Sequence, residues 1–218
     1  MNTVHLVDNM IFMKGIPDKY YELSIIDPPY GIERFQKGSL RFDKTDKAKD
    51  GLKWDIKPTQ EYFKELFRIS VNQIIWGANN FTLPESEYFI VWDKQQSVDN
   101  FASAEYAWCS LKVPAKVFRF SIHKMMAERR EQGKIHPTQK PVALYKWLLK
   151  NYAKPNDKIF DSHVGSGSSR IACYDMGFDF TGCELDPDYW KAQEERFEQH
   201  TMQGDLFSGS DLQESMLR

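Results

Sequence analysis

The 218-residue sequence has little of what membrane and secreted proteins need. Its apolar runs are only a few residues long, whereas a membrane-spanning helix requires about 20. Its first ten residues contain Asp8 and have neither the basic start nor the apolar run of a secretion signal. The cysteines Cys109, Cys173 and Cys183 form no C-x-x-C pair, which argues against a disulfide scaffold or a structural zinc site. These absences predict a protein of the reducing cytoplasm.

The sequence also lacks internal repeats and low-complexity segments. Hydrophobic residues make up 41% and charged residues 28%, as in ordinary globular proteins. A chain of this length buries enough surface to fold without disulfides or metals. We therefore predict one domain over residues 1–200, followed by a flexible polar tail over residues 201–218.

The net charge is only −2, but the charges are unevenly distributed. Residues 34–57 hold eight basic against four acidic side chains, and residues 111–140 hold eight against two. Residues 184–218 hold three basic against nine acidic side chains. Two basic segments on an acidic body suit a polyanionic partner such as nucleic acid. The alternative is that these segments are simply solvated faces.

Strands and helices alternate along the predicted chain. Strands are expected at residues 3–6, 23–26, 73–76, 88–92, 117–120, 158–161 and 180–184. Helices are expected at residues 59–71, 141–152 and 168–176, and from residue 186 onwards. Residues 101–108 are ambiguous, and residues 124–134 are expected to form a loop. The succession of strand, loop, helix and strand near the C-terminus indicates a βαβ unit, so we predict an α/β fold with a mostly parallel sheet.

A glycine-containing loop, Asp161-Ser-His-Val-Gly165-Ser-Gly167, joins a predicted strand to a predicted helix. Ligands of α/β proteins bind at this end of the sheet. Glu184, at the end of the next strand, can accept hydrogen bonds from a ribose diol. A dinucleotide site is disfavoured because Arg170 stands where G-x-G-x-x-G needs a third glycine. A nucleoside without a pyrophosphate, such as S-adenosylmethionine, fits better; the remaining alternative is a plain tight turn.

The tetrad Asp27-Pro28-Pro29-Tyr30 follows a predicted buried strand. Its two prolines remove amide donors and leave carbonyl oxygens free to accept hydrogen bonds. A carboxylate beside such a carbonyl can hold both hydrogens of an exocyclic amine, and the tyrosine ring can stack on a base for about 1–3 kcal/mol. The tetrad therefore predicts a site for the amine of a base, with a simple strand-ending turn as the alternative.

A third segment, His136-Pro-Thr-Gln-Lys-Pro141, comes directly before a predicted helix. Thr138 and Gln139 offer polar groups to the helix start, and Lys140 offers a cation for a carboxylate. Taken alone, the segment is also compatible with an ordinary helix entrance.

In this order and spacing, the three segments resemble the DNA amino-methyltransferases of the β arrangement, in which the catalytic tetrad precedes the cofactor loop. The resemblance extends from about residue 4 to residue 200. It implies a single Rossmann-like domain with a doubly wound sheet that transfers methyl from S-adenosylmethionine to double-stranded DNA, as in bacterial or phage restriction–modification. A tetrad that begins with Asp implies adenine N6 as the target; N4 of cytosine, or RNA, is the alternative.

The resemblance also implies roles for individual residues. The catalytic residues would be Asp27, Pro28, Pro29 and Tyr30. The cofactor-binding residues would be Asp8, Thr138, Lys140, Asp161, Ser162, His163, Gly165, Gly167 and Glu184. The common family loop begins Asp-Pro-Phe, so His163 either replaces the aromatic contact or faces solvent. No clustered ligands surround His163 in the sequence, and we predict no metal site.

A target adenine inside a duplex must be flipped out before its amine can react. The segments available to contact DNA are residues 31–57 and 111–135, both basic and both predicted loops. The phosphate contacts are predicted at Arg34, Lys37, Arg41, Lys44, Lys47, Lys124, Arg129, Arg130 and Lys134. A domain with such short segments for reading DNA could form a homodimer to contact more of it. Trp76 and Trp92 are expected in the core rather than on the bases.

The C-terminal tail contains the pentapeptide Gln203-Gly-Asp-Leu206-Phe207. It resembles the Gln-x-x-Leu-Phe peptides by which bacterial replication and repair proteins bind the sliding clamp. Short segments with two apolar anchors commonly bind partners in this way. The alternative is that Leu206 and Phe207 dock on the protein's own surface.

Overall fold

The computed structural model describes residues 1–31, 56–96, 99, 102–132, 135–136 and 138–216, without the side chains of 131–132 and 203–216. The strands are β1 (Asn2–Leu6), β2 (Tyr21–Ile26), β3 (Ser70–Trp76), β4 (Phe89–Asp93), β5 (Ala104–Cys109), β6 (Lys116–Arg119), β7 (Lys158–Asp161) and β8 (Asp179–Glu184). The helices are α1 (Asn9–Lys14), α2 (Gln60–Ile69), α3 (Ile122–Gln132), α4 (Val142–Tyr152), α5 (Ser168–Asp175) and α6 (Pro187–Met216).

The eight strands form one sheet in the order β1-β8-β7-β2-β3-β5-β4-β6. The pairs are parallel except where β5 runs against β3 and β4. From β2 the chain moves through α2 to β3 on one side, whereas from β7 it moves through α5 to β8 on the other. The direction of winding therefore changes between the neighbouring strands β2 and β7. Ligands of open α/β sheets bind at such a change, outside the carboxyl ends of the strands.

Helices cover both faces of the sheet, because successive strand residues point to opposite sides. On β2, Leu23 and Ile25 belong to a buried cluster that includes α4 and α5 residues such as Leu148. The next residue, Ile26, belongs to a second buried cluster that includes Leu66 of α2. The mostly parallel, doubly wound sheet predicted from the sequence is thus present.

Residues 124–134 do not form the predicted loop, because α3 occupies Ile122–Gln132. Its polar side chains find partners on the segment that leads into α4. Glu128 accepts a hydrogen bond from the Val142 backbone N–H at 2.6 Å, and Arg129 donates to the Gln139 carbonyl. With β6 and α3 inside it, the 111–135 segment is largely regular structure rather than a loop. Because its sequence is polar, the helix packs through hydrogen bonds more than through an apolar stripe.

The chain after residue 200 continues as helix in α6, which ends at Met216, and the flexibility predicted for residues 201–218 stays a prediction. No proline follows Pro187 in the sequence, and residues such as Met202 and Gln213 favour helix. The side chains of the clamp-like peptide, Gln203, Leu206 and Phe207, lie outside the described residues. Within the described part of the chain, no helix combines the length and the apolar character needed to cross a membrane.

Candidate active site

Four acidic residues lie at the carboxyl ends of four neighbouring parallel strands. Asp8 and Asp27 follow β1 and β2, and Asp161 and Glu184 are the last residues of β7 and β8. The order β1-β8-β7-β2 makes these strands neighbours, about 4.8 Å apart. The glycine loop and the tetrad, which are far apart in the sequence, therefore meet at the change in winding direction.

The Glu184 carboxylate is held beside the glycine loop by three backbone donors. The Gly165 N–H donates to Oε2 at 2.8 Å, and the Leu185 and Asp186 N–H groups donate to Oε1 at 2.9 and 3.0 Å. Burial raises the pKa of Glu184, while these hydrogen bonds lower it. A carboxylate has about four acceptor positions, so Glu184 keeps capacity for a ribose hydroxyl.

The two loop glycines are required by the backbone conformation. Gly165 has φ +52° and Gly167 has φ +76°, and a Cβ at Gly167 would approach the Gln193 Cβ at 3.2 Å. Arg170, one turn into α5, is buried and donates to Asn2 Oδ1 and Gln193 Oε1 at 2.8 and 2.9 Å. The Arg170 side chain thus fills the space at the third glycine position of a G-x-G-x-x-G motif. This disfavours a dinucleotide and leaves the loop suited to a nucleoside.

His163 turns into the protein and links the loop to α1 and α2. Its Nδ1 lies 2.9 Å from Ser162 Oγ, which also contacts the Tyr62 hydroxyl at 2.6 Å. Its Nε2 lies 3.1 Å from Asn9 Nδ2, next to Asp8, whose carboxylate accepts the first N–H groups of α1. Burial lowers the pKa of His163 to about 4, so the ring is neutral at pH 7. His163 thus makes contacts within the protein instead of simply facing solvent, and its predicted role in binding the cofactor stays a prediction.

Asp161 is fully buried under the same loop. Its Oδ2 accepts a hydrogen bond from Ser169 Oγ at 2.6 Å, and its Oδ1 accepts one from the His163 N–H at 3.0 Å. Burial raises the pKa of Asp161 to about 7, although these two hydrogen bonds lower it. Asp161 therefore ties the end of β7 to the start of α5 and shapes the loop from beneath.

Asp161→Asn is expected to change how stability depends on pH. The folded state binds this proton more tightly than the unfolded state, whose pKa is near 3.8, so the contribution of Asp161 falls as pH rises from about 4 to about 7. Relative to wild type, the variant should gain up to about 3 kcal/mol between pH 5 and pH 8. Urea unfolding at both pH values measures the difference; equal differences would contradict the buried, proton-holding state of Asp161.

The tetrad presents a carboxylate whose two oxygens have different partners. The Tyr30 hydroxyl donates to Asp27 Oδ1 at 2.5 Å, and the Lys140 ammonium donates to Asp27 Oδ2 at 2.5 Å. Burial raises the pKa of Tyr30 well above its usual value, so the hydroxyl keeps its proton. Burial would lower the pKa of Lys140, but Asp27 and Glu105 raise it well above its usual value, and the ammonium stays charged.

This pairing differs from the predicted role of Lys140. The family resemblance implied a cofactor-binding role for Lys140, whereas the structure places the buried ammonium between the carboxylates of Asp27 and Glu105. A buried ammonium with two carboxylate partners is not available as a free cation. Lys140 is therefore part of the tetrad's surroundings, and the HPTQKP segment joins the two halves of the site.

The other end of the same segment touches the glycine loop. A Cβ built at Gly165 would lie 3.8 Å from His136 Cδ2, and the His136 ring packs edge-on against Tyr189 at 4.5 Å. Thr138 is exposed, with its hydroxyl 3.0 Å from His136 Nδ1. The structure thus brings all three predicted segments together.

The Tyr30 ring lies against the backbone at the end of β3. Gly77 has φ +65°, and a Cβ there would lie 2.2 Å from Tyr30 Cε1. Phe81 contacts the ring edge-on at 6.0 Å. Trp76 and Trp92 are fully buried, which confirms their predicted place in the core.

Three residues of this site were missed at the level of sequence. Glu105 is the second residue of β5, in a segment of ambiguous pattern, Lys94 directly follows β4, and Gly77 lies in a turn-rich stretch. Each acts through a contact with a residue distant in the chain. The only sequence signal is that Gly77 and Lys94 stand just after predicted strands; Glu105 lies within the ambiguous segment and carries no such signal.

The comparisons with known proteins point to DNA methylases. The family model N6_N4_Mtase, described as DNA methylase, matches residues 92–195. This part of the chain is similar to the DNA methylase family. The predicted resemblance is thereby confirmed. Over 90% of its length the chain is 25% identical to the Type II methyltransferase M.HinfI of Haemophilus influenzae, covering 68% of that protein.

Solved structures share the fold of this chain. The crystal structure of the M1.HpyAVI–SAM complex superposes with a TM-score of 0.59 at 17% identity, covering 90% of this chain and 100% of the other. The cytosine-N4-specific PvuII DNA methyltransferase superposes with a TM-score of 0.57 at 13% identity, covering 92% and 90%. The first of these holds S-adenosylmethionine, the cofactor that the glycine loop of this chain predicts.

The basic residues predicted to contact DNA divide into three groups. Lys124 and Arg130 are exposed on α3 and free to face a phosphate backbone. Arg129 is half-buried and donates to the Gln139 carbonyl, so its predicted phosphate contact is replaced by a structural one. The remaining predicted contacts lie outside the described residues: Arg34, Lys37, Arg41, Lys44, Lys47 and Lys134.

Proposed function

We propose that this protein uses S-adenosylmethionine to methylate the N6 amine of adenine in double-stranded DNA. One observation carries the proposal: the Asp27 carboxylate stands at the change in winding direction, directly beside the strand that bears the glycine loop. A carboxylate in that place can hold an amine next to the cofactor. The match to the DNA methylase family supports DNA as the substrate.

The residues around the glycine loop fit the cofactor. Glu184 would accept hydrogen bonds from the ribose, Asp8 would approach the adenine edge, and Gly165 would leave room for a ligand against the backbone. When bound, S-adenosylmethionine supplies a methyl group activated by its sulfonium. Neutral His163 and Tyr62 would support this loop from behind through Ser162.

The tetrad would hold the target base. Asp27 Oδ1 and the Pro28 carbonyl would accept the two hydrogens of the amine, which favours the pyramidal form whose lone pair can attack. Tyr30 would stack on the ring, and its hydroxyl, which now occupies Asp27 Oδ1, would give up that position to the amine. Most of the rate enhancement would come from holding both reactants in line.

The base must leave the duplex to reach Asp27, at a cost of a few kcal/mol. Lys124 and Arg130 on α3 would hold the phosphates, together with the basic residues of 31–57. Dimerisation and binding of a sliding clamp through Gln203, Leu206 and Phe207 stay predictions.

The first experiment is transfer of labelled methyl from S-adenosylmethionine to unmethylated genomic DNA, followed by analysis of the nucleosides. Label in N6-methyladenosine is the expected result. Label in N4-methylcytosine would keep the enzyme class and overturn the base. Label only in a parallel RNA sample, or no label although the cofactor binds, would overturn DNA as the independent substrate of this chain.

A further inference from the structure

Charged side chains of alternating sign extend from Asp27 into the protein. The Lys140 ammonium lies 2.5 Å from Asp27 Oδ2 and 3.1 Å from Glu105 Oε2. Glu105 Oε1 in turn lies 2.5 Å from the Lys94 ammonium. We call Asp27, Lys140, Glu105 and Lys94 the charge row. Lys94 and Glu105 reach Asp27 through Lys140.

The charge row is shielded from solvent and electrically balanced. The Lys140 side chain is only 5% exposed, and those of Lys94 and Glu105 are 17% and 25% exposed. Burial would raise the pKa of Glu105, but the ammonium groups of Lys140 and Lys94 lower it to about 2. Glu105 is therefore ionised at neutral pH. Removing one member of such a buried set leaves a charge without compensation, which is far more costly than losing an exposed pair.

The inner end of the charge row is built on rigid strands. Lys94 follows β4 and Glu105 lies near the start of antiparallel β5, and the Lys94 N–H donates to the Ser103 carbonyl at 2.9 Å. The Lys94 ammonium lies over the Trp92 ring at 4.9 Å, and the Lys140 ammonium lies over the Trp76 ring at 5.7 Å. The sheet thus fixes the position of Glu105, and Glu105 fixes the position of the Lys140 ammonium.

Position matters because Lys140 and the target amine would share one carboxylate. An ammonium has three donors. Without a second anion, Lys140 would turn toward Asp27 and use acceptor positions that the amine needs. With Glu105 on its other side, the ammonium is divided between two carboxylates, and Asp27 Oδ1 is left to the Tyr30 hydroxyl.

We propose that Glu105 and Lys94 are positioning residues for methyl transfer: Glu105 holds Lys140 so that one oxygen of Asp27 is left for the target amine, and Lys94 holds Glu105. The proposal rests on the function proposed above. It predicts that substitution of Glu105 slows the reaction of bound substrates and leaves their binding intact.

The variant Glu105→Gln tests whether Glu105 holds Lys140 in place for the reaction. We expect kcat to fall by on the order of 10–100-fold, the size that a misplaced reacting group causes, while KM for DNA and Kd for S-adenosylmethionine stay within about threefold. Glu61→Gln is the matched control, because Glu61 also pairs with a lysine, Lys64, at 3.1 Å but is 63% exposed. The control should keep wild-type kcat.

Variants of Lys94 test whether Lys94 holds Glu105. They also keep the proposal open to refutation if Glu105→Gln does not fold. Lys94→Met should lower kcat less than Glu105→Gln does, and Lys94→Arg, which keeps the charge, should restore it. The double variant Glu105→Gln/Lys94→Met should be no slower than Glu105→Gln alone, because Lys94 acts through Glu105.

The outcomes separate this proposal from the proposed function. If the wild-type protein transfers no methyl group to DNA, the function fails and the positioning role with it. If the wild type is active and Glu105→Gln is equally fast, only the positioning role fails. Losses that multiply in the double variant, or that appear in KM and melting temperature rather than kcat, would likewise overturn it.

Discussion

Asp27→Ala is expected to abolish methyl transfer while S-adenosylmethionine still binds. The substitution removes the carboxylate that would hold the amine and leaves every residue of the glycine loop in place. A loss on the order of 10³-fold is expected for a group that accepts a hydrogen of the reacting amine. The fold should survive, because the Lys140 ammonium keeps Glu105 as an anionic partner 3.1 Å away.

The measurement combines single-turnover methyl transfer with calorimetric titration of the cofactor. Asp27→Asn keeps the shape of the side chain and one acceptor oxygen, so its loss should be smaller than that of Asp27→Ala. Asp188→Ala, at an exposed position on α6, serves as the control and should react like wild type. A folded Asp27→Ala protein that no longer binds the cofactor would contradict the assignment of Asp27 to the base.

The parts of the site that the sequence predicts are those whose residue types impose local geometry. Pro28 and Pro29 end a strand, and Gly165 and Gly167 turn a strand into a helix, whatever surrounds them. Because parallel strands carry their carboxyl ends to one edge of the sheet, Asp27 had to lie on the same edge as the glycine loop. Local chemistry and one topological rule were enough to bring the two segments together.

The parts that sequence does not reveal depend on contacts between distant segments. Lys140 pairs with Asp27 and Glu105, neither of which is near it in the chain. No periodicity distinguishes Glu105 from a glutamate on a solvated strand. Likewise, the requirement for glycine at position 77 comes from the ring of Tyr30.

The same reason explains the wrong prediction of a loop at α3. A polar segment such as Ile122–Gln132 gives no apolar stripe, and its helix is tied down by Glu128 and Arg129 bonding to the segment before α4. Charge alone also suggested that Arg129 faces DNA, whereas its guanidinium is used inside the protein. Sequence composition locates a basic segment, and only packing decides which of its members remain exposed.

After Asp27→Ala, the variant Gly77→Ala is expected to lower activity most, although no contact with the base or the cofactor is proposed for Gly77. Its new Cβ would lie 2.2, 2.3 and 2.8 Å from three atoms of the Tyr30 ring. The backbone at Gly77 cannot easily yield, because its N–H donates to the Tyr106 carbonyl and its carbonyl accepts from the Asn80 N–H, both at 2.9 Å. The ring must therefore move, and it takes with it both the stacking surface and the hydroxyl that contacts Asp27.

We expect kcat/KM of Gly77→Ala to fall by about 10²-fold, the scale for a displacement near 1 Å in an active site. Gly177→Ala is a closely matched control: Gly177 has φ +73° against +65° at Gly77, but no described atom lies within 4 Å of its built Cβ. Both variants carry backbone strain of about 1–2 kcal/mol, so both should melt earlier than wild type, and only Gly77→Ala should lose activity. If the two variants are equally active, the position of Tyr30 does not limit the reaction; if both lose activity, strain rather than the Tyr30 contact is the cause.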